Sequence, residues 1–239
     1  MRTNLLEFGR TRQFASGRTP TELPSLVQLV RASDSDRAFV FFAGMGGKTP
    51  YKKFQFRRIS EEMDIHKVFV KSTLPRWYQG GVNEDIKSIE LLTVLLRNVI
   101  RDLGVRDVTF VGSSMGGYAA LLFAAISGLG RAIAFSPQTF LDPINRLRHF
   151  DLRWPREICA TWALGVNYQG CLDLVPVLHR YPLLHNATIF YPEYNRLDRL
   201  HARRVGGFRN IDLVPVMSDK HNIVKQALNT ADGSRAVFQ

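Results

Sequence analysis

Apolar runs of strand length recur along the chain, each followed by small or turn-forming residues: AFVFFAG at 38–44, KVFV at 67–70, VTFVG at 108–112, RAIAFS at 131–136, ATIFY at 187–191 and IDLVPV at 211–216. They are continuous rather than alternating, which predicts strands covered on both faces. Between them the period changes. From about 83 to 103 the apolar positions Ile86, Ile89, Leu92, Leu96, Val99, Ile100 and Leu103 share one stripe, and Gly104 is placed to end the helix they define. Strands alternating with helices predict an α/β protein with a mainly parallel central sheet and helices on both faces. Upstream, LLEF and LVQLV are candidate edge strands separated by the loop TPTELP. The stretch 137–186 is long for one connection and is broken by Pro143, Pro155, Pro176 and Pro182. It is the candidate for a small cap over a binding site. With no internal repeat and no low-complexity segment, residues 1–239 read as a single domain with that cap inserted.

Composition narrows the partners. Apolar residues make up 45% of the chain, enough for a full core. Lysine and arginine number 32 against 21 aspartates and glutamates, a net charge of +11. Such a protein attracts anions: phosphorylated substrates, acidic glycans, nucleic acid or membrane surfaces. The basic residues are dispersed, with no run of about five or six like charges and no aromatic-and-basic motif of an RNA-binding sheet, so no nucleic acid partner is expected. Cys159 and Cys171 are too few for a disulfide framework or a cysteine-ligated zinc site. No stretch reaches the roughly 18 uncharged apolar residues of a membrane span. Charges interrupt every apolar stretch of MRTNLLEFGRTRQF, which does not fit a signal peptide. The expected location is cytoplasmic.

The candidate chemistry lies at 108–125, VTFVGSSMGGYAALLFAA. Gly112, Ser114 and Gly116 form G-x-S-x-G between an apolar strand and an apolar helix, the context in which that motif has mechanical meaning. A serine at the apex of a sharp turn needs glycine two positions to either side, because side chains there would collide with the turn. Ser114 would then stand out of the top of the sheet, at the start of a helix whose amides favour developing negative charge. Close packing of the helix on the sheet also uses Gly117, Ala119 and Ala120. A phosphate-binding loop is the other glycine-rich option, but its lysine is missing.

Serine needs a histidine to take its proton and an acid to orient that histidine, in the chain order serine, acid, histidine. His221 fits the last place, in the loop MSDKHN after IDLVPV. The acid has three candidates: Asp198, which is favoured, Glu193 nearer the strand end, and Asp142 one strand earlier. The tetrahedral intermediate needs two backbone donors. Met115 follows the nucleophile, and Met45 lies in the loop Gly44, Met45, Gly46, Gly47 after AFVFF. Trp77 and Tyr78, after KVFV, fall at the same end of the sheet as Gly44, where they read as pocket walls or as packing aromatics.

These residues resemble the α/β-hydrolase superfamily. The resemblance covers most of the chain from Ala38 onward and rests on G-S-S-M-G-G-Y after the central strand, the glycine-rich loop after AFVFF and the late histidine. FSPQ at 135–138 and Y-x-x-x-N-x-x-D from Tyr191 to Asp198 are similar to small bacterial members linked to polysaccharide metabolism. The resemblance implies a sheet of about eight strands and acyl transfer by a serine, histidine and acid triad. Two departures are visible: the loop F-A-G-M-G-G lacks a leading histidine, and the acid is not in a short G-x-x-D. The expectation is a serine hydrolase for an acyl ester or thioester, with a small-molecule or glycan substrate of anionic character and with no metal or organic cofactor. An acyltransferase using the same triad on a glycan and an inactive binding module of the same fold are the alternatives.

Overall fold

The computed structural model describes residues 25–45, 56–164 and 170–230. Seven strands form one sheet: β1 (Val27–Val30), β2 (Arg37–Phe42), β3 (His66–Val70), β4 (Asp107–Ser113), β5 (Arg131–Phe135), β6 (Ala187–Pro192) and β7 (Ile211–Val216). Their order is β1-β3-β2-β4-β5-β6-β7, with β1 antiparallel to β3 and every other pairing parallel. All six apolar runs are strands, and LVQLV supplies the antiparallel edge. LLEF, Gly46 and Gly47 lie outside the described residues. The count among the described residues is one short of the expected eight.

Alternate residues of the same strand serve opposite cores, which is why the runs are continuously apolar. Val40 and Phe42 of β2 face a core built with α1 (Ile89–Leu103), α2 (Met115–Ser127), α5 (Leu174–Arg180) and α6 (Arg196–Val205). Phe39 and Phe41 face a second core with Phe56, Ile65 and α7 (Val224–Leu228). Every residue of α2 is buried, so a helix apolar all round is what the position demands. β7 is the edge next to β6, a position that tolerates Pro215 opposite Tyr191.

Helix α1 begins at Ile89, six residues after the start expected from the apolar stripe. Ser88 caps it by accepting from the Leu91 amide, and Asn83 accepts from the Ile86 amide to close a tight turn before it. That turn takes Ile86 out of the helix while keeping it on the core. Gly104 ends α1 in the left-handed region at φ 67°, as its position suggested. The stretch 137–186 contains α3 (Pro143–His149), α4 (Pro155–Trp162) and α5, with Pro143 and Pro155 each in a first turn, where the missing amide costs nothing.

Candidate active site

β4 runs into α2 with no connecting residue except Ser114, whose backbone adopts φ 54° and ψ −120°. A non-glycine residue held there stores strain that the packing on both sides must offset. That packing is close. A side chain on Gly112 would run into the carbonyl of Gly116, and one on Gly116 into the carbonyl of Phe42. The first turn of α2 therefore lies directly on the end of β2, and the bend cannot relax.

Ser114 Oγ lies 2.9 Å from His221 Nε2, and His221 Nδ1 lies 2.8 Å from Asp198 Oδ2. The ring's state follows from its partners: the ionised carboxylate only accepts, so Nδ1 carries the proton and Nε2 is left to accept from Ser114. His221 comes from the loop after β7, and its carbonyl accepts a 2.7 Å bond from Ser136 Oγ at the end of β5. Asp198 sits in the first turn of α6, fully buried, with its amide donating to the cap residue Asn195. The other two candidate acids are committed elsewhere. Glu193 pairs with Arg199 and Arg203, and Asp142 caps α3 by accepting from the Asn145 amide.

The second oxygen of Asp198 accepts from Arg153 at 2.6 Å. Arg153 also grips Asp151 with two nitrogens, at 2.9 Å each, and Asp151 Oδ2 lies 3.0 Å from His201 Nε2. His201 Nδ1 accepts from the Thr139 amide, so Nε2–H donates to Asp151 and the ring is neutral. A continuous chain thus runs from the half-buried His221 through Asp198, Arg153 and Asp151 to the fully buried His201. Burial alone would raise the Asp198 carboxyl, but the hydrogen bond from His221 and the charge and hydrogen bond of Arg153 together hold it below the ordinary value. Asp151 is likewise held low by His201 and Arg153 against the same burial, and burial pushes His201 down. The stability these carboxylates add is present above the ordinary carboxylate pKa and is lost as pH falls through their depressed folded values.

Gln138 was not singled out from sequence. It is buried, and its Oε1 accepts from Trp77 Nε1 at 3.0 Å while standing 3.3 Å from Ser114 Oγ. The indole can only donate, so it fixes which end of the amide faces the serine. Once His221 is protonated and donates to Oγ, Gln138 is the acceptor left for the serine hydrogen. The signal for both Ser136 and Gln138 was the S-P-Q directly after β5, at the same sheet edge as Ser114. Arg153 had none, because arginines are spread through the whole chain.

Trp77 and Tyr78 have no exposed surface, which corrects their reading as pocket walls. Trp77 stands behind Gln138 and packs edge-on against Trp154, while Tyr78 OH donates to the carbonyls of Ala43 and Val70. Trp154 is half-buried, with its ring 5.4 Å from that of His221. Met115 is the first residue of α2, where a helical amide has no partner in its own helix. Gly44 and Met45 are partly exposed on the strand exit from β2, past Ala43, whose amide and carbonyl are tied to Val70 and Tyr78.

No protein-family model matches the chain, and no curated protein sequence does. Solved structures match in fold. The capsule O-acetyltransferase of Neisseria meningitidis serogroup A superposes with a TM-score of 0.64 at 14% identity, covering 85% of this chain and 89% of that one. MenH from Staphylococcus aureus gives 0.57 at 15% identity over 90% and 98%, and the fluorophosphonate-binding serine hydrolase FphF of the same species gives 0.53 at 14% over 79% and 83%. The protein has the α/β-hydrolase fold.

Proposed function

We infer that the protein is a serine-dependent acyl-transfer enzyme acting on an ester or thioester. The observation that carries this is the hydrogen-bonded line of Ser114, His221 and Asp198 at a strained turn on a helix N-terminus. Ser114 Oγ attacks the acyl carbonyl while its proton passes to His221 Nε2, and Asp198 steadies the imidazolium that forms. The amides of Met115 and Met45 bind the oxyanion. Collapse expels the leaving group, which takes the proton from His221, and a second nucleophile then frees the acyl group from the serine. Gln138 accepts from the hydroxyl whenever His221 is protonated, and α3 and α4, with Trp154 on the loop between them, serve as the cap. The reading keeps the enzyme cytoplasmic, consistent with two unpaired cysteines, Cys159 and Cys171.

Hydrolase and transferase differ only in the second nucleophile. Water makes a hydrolase; a sugar hydroxyl makes a glycan acyltransferase. The second version is supported by the likeness to the capsule O-acetyltransferase, which was also solved in complex with CoA. Incubation with p-nitrophenyl acetate, and separately with acetyl-CoA, in the presence of a hydroxyl-rich oligosaccharide separates them. Free acetate as the only product identifies a hydrolase, and acetylated oligosaccharide a transferase. Turnover of neither donor would count against acetyl chemistry.

Arg153 aims the acid, on this reading, without touching substrate. Arg153→Met is expected to lower kcat for a small ester roughly tenfold to a hundredfold with little change in KM, because small misplacements of a catalytic group cost about that much. Arg153→Lys keeps the charge and should recover part of the loss. An unchanged kcat in Arg153→Met would show that Asp198 needs no such support.

A further inference from the structure

Large apolar side chains gather on the outside of the cap. Ile144, Leu147, Phe150 and Leu152 are 77, 72, 73 and 75% exposed, and the first three step by three residues along α3 and its C-cap, which sets them in one ridge. Tyr194 and Met217, on the loops after β6 and β7, are 65 and 62% exposed and belong to the same edge of the sheet. The Tyr194 amide donates to Ser218, next to Met217, and Arg196 reaches the His149 carbonyl at the end of α3. These six are two-thirds of the nine exposed large apolar side chains among the described residues. Such a concentration on one edge marks a contact surface rather than scattered exposure.

The charges in this stretch are sorted. Asp142 is turned inward as a cap, and Asp151 is wholly buried against Arg153 and His201. The exposed charged side chains between 143 and 156 are therefore Arg148 and Arg156 alone. Along α3 and the loop to α4, apolar side chains interleaved with cations and free of exposed carboxylates suit the headgroup and acyl boundary of an anionic bilayer, and beside Met217 the exposed Asp219 is balanced by the exposed Lys220. A second copy suits the ridge less well, since a two-fold contact would set these arginines against their own duplicates on molecules that each carry a net charge of +11. Among the described residues no helix is long and apolar enough to cross a membrane, so the association is peripheral.

The geometry points to the α3 ridge as a docking surface for an anionic lipid bilayer. Arg153 and Trp154 follow the ridge directly and touch Asp198 and the His221 ring, so docking would hold the Ser114 site beside the lipid headgroups. Binding is measured without turnover, so its failure and that of the acyl-transfer reading are distinguishable. The test is co-sedimentation of the full chain with vesicles of phosphatidylcholine alone and of an equimolar mixture with phosphatidylglycerol, at low and at high salt. Binding is expected to the mixed vesicles, to weaken with salt, and to fall roughly tenfold or more in Leu147→Ser/Phe150→Ser, two apolar groups being lost from the lipid face. Both side chains point to solvent, so circular dichroism and the urea midpoint should stay at wild-type values. No binding by the wild type, or equal binding by the double variant, overturns the proposal. So does a concentration-dependent dimer that the double variant abolishes while vesicle binding is absent.

Discussion

Ser114→Ala is expected to abolish covalent labelling by a fluorophosphonate probe and to cut ester turnover by roughly ten-thousand-fold or more, which is the usual scale for removing a nucleophile from such a group. The probe reports the same event as the proposed reaction. Oγ attacks phosphorus, fluoride leaves, and the proton goes to His221. The substitution removes one oxygen and leaves Cβ in place, so the urea midpoint should correspond to a change within about 1 kcal/mol. Ser113→Ala, one residue earlier in β4, is the internal control and should keep full labelling, since no bond joins its hydroxyl to His221 among those described. Undiminished labelling of Ser114→Ala would remove the residue from its role and with it the acyl-enzyme reading.

A second large effect is expected from one methyl group. Gly112→Ala places a side chain where the backbone of Gly116 already stands, and neither partner is a flexible side-chain end that could swing aside. Relief requires the first turn of α2 to lift from β4, yet that turn is pinned from the far side by the end of β2. Destabilisation of about 4 kcal/mol or more follows, at the upper end of what a single substitution does. The measurement is the urea midpoint beside Gly207→Ala, whose added methyl meets nothing within 4 Å and which should be nearly neutral. If Gly112→Ala is recovered folded, the proposal that the bend holds Ser114 upright still predicts a failure to label with the probe. A stable, fully labelled Gly112→Ala would show that the turn is not under the constraint described.

Much of this is legible in the sequence alone, for reasons that differ between residues. The strands announced themselves because a sheet covered on both faces demands unbroken apolar runs, and Ser114 because a strained turn restricts its neighbours to glycine, a restriction visible in a single sequence. His221 followed from its place after the last strand. Asp198 was harder to separate from Glu193 and Asp142, since a carboxylate's partner depends on how a loop curls back. The bond from His221 to Asp198 distinguishes them, together with those of the competitors, Glu193 with two arginines and Asp142 with its own helix. The start of α1 was read too early because the apolar stripe continues through Ile86 while the backbone there is a turn: burial repeats a pattern that hydrogen bonding does not. Arg153 and the Asp151–His201 pair left no local trace, as their meaning comes from contacts such as the one between residues 45 positions apart. Trp77 illustrates the opposite error. An aromatic at the correct edge of the sheet can serve the site from behind, through Gln138, without ever meeting a ligand.

The serine rises from β4 at the centre of the sheet, whereas its imidazole partner hangs from the loop beyond β7 at the rim, and the two are 107 residues apart. Closing so long a span is slow to repay its entropy, which makes this contact a natural latecomer in assembly. A nascent chain can complete the bend around Ser114 well before its proton acceptor has been synthesised. If the proposed triad is right, reactivity is withheld until the outermost parallel strand has docked, and competence for acyl transfer doubles as a certificate of finished folding.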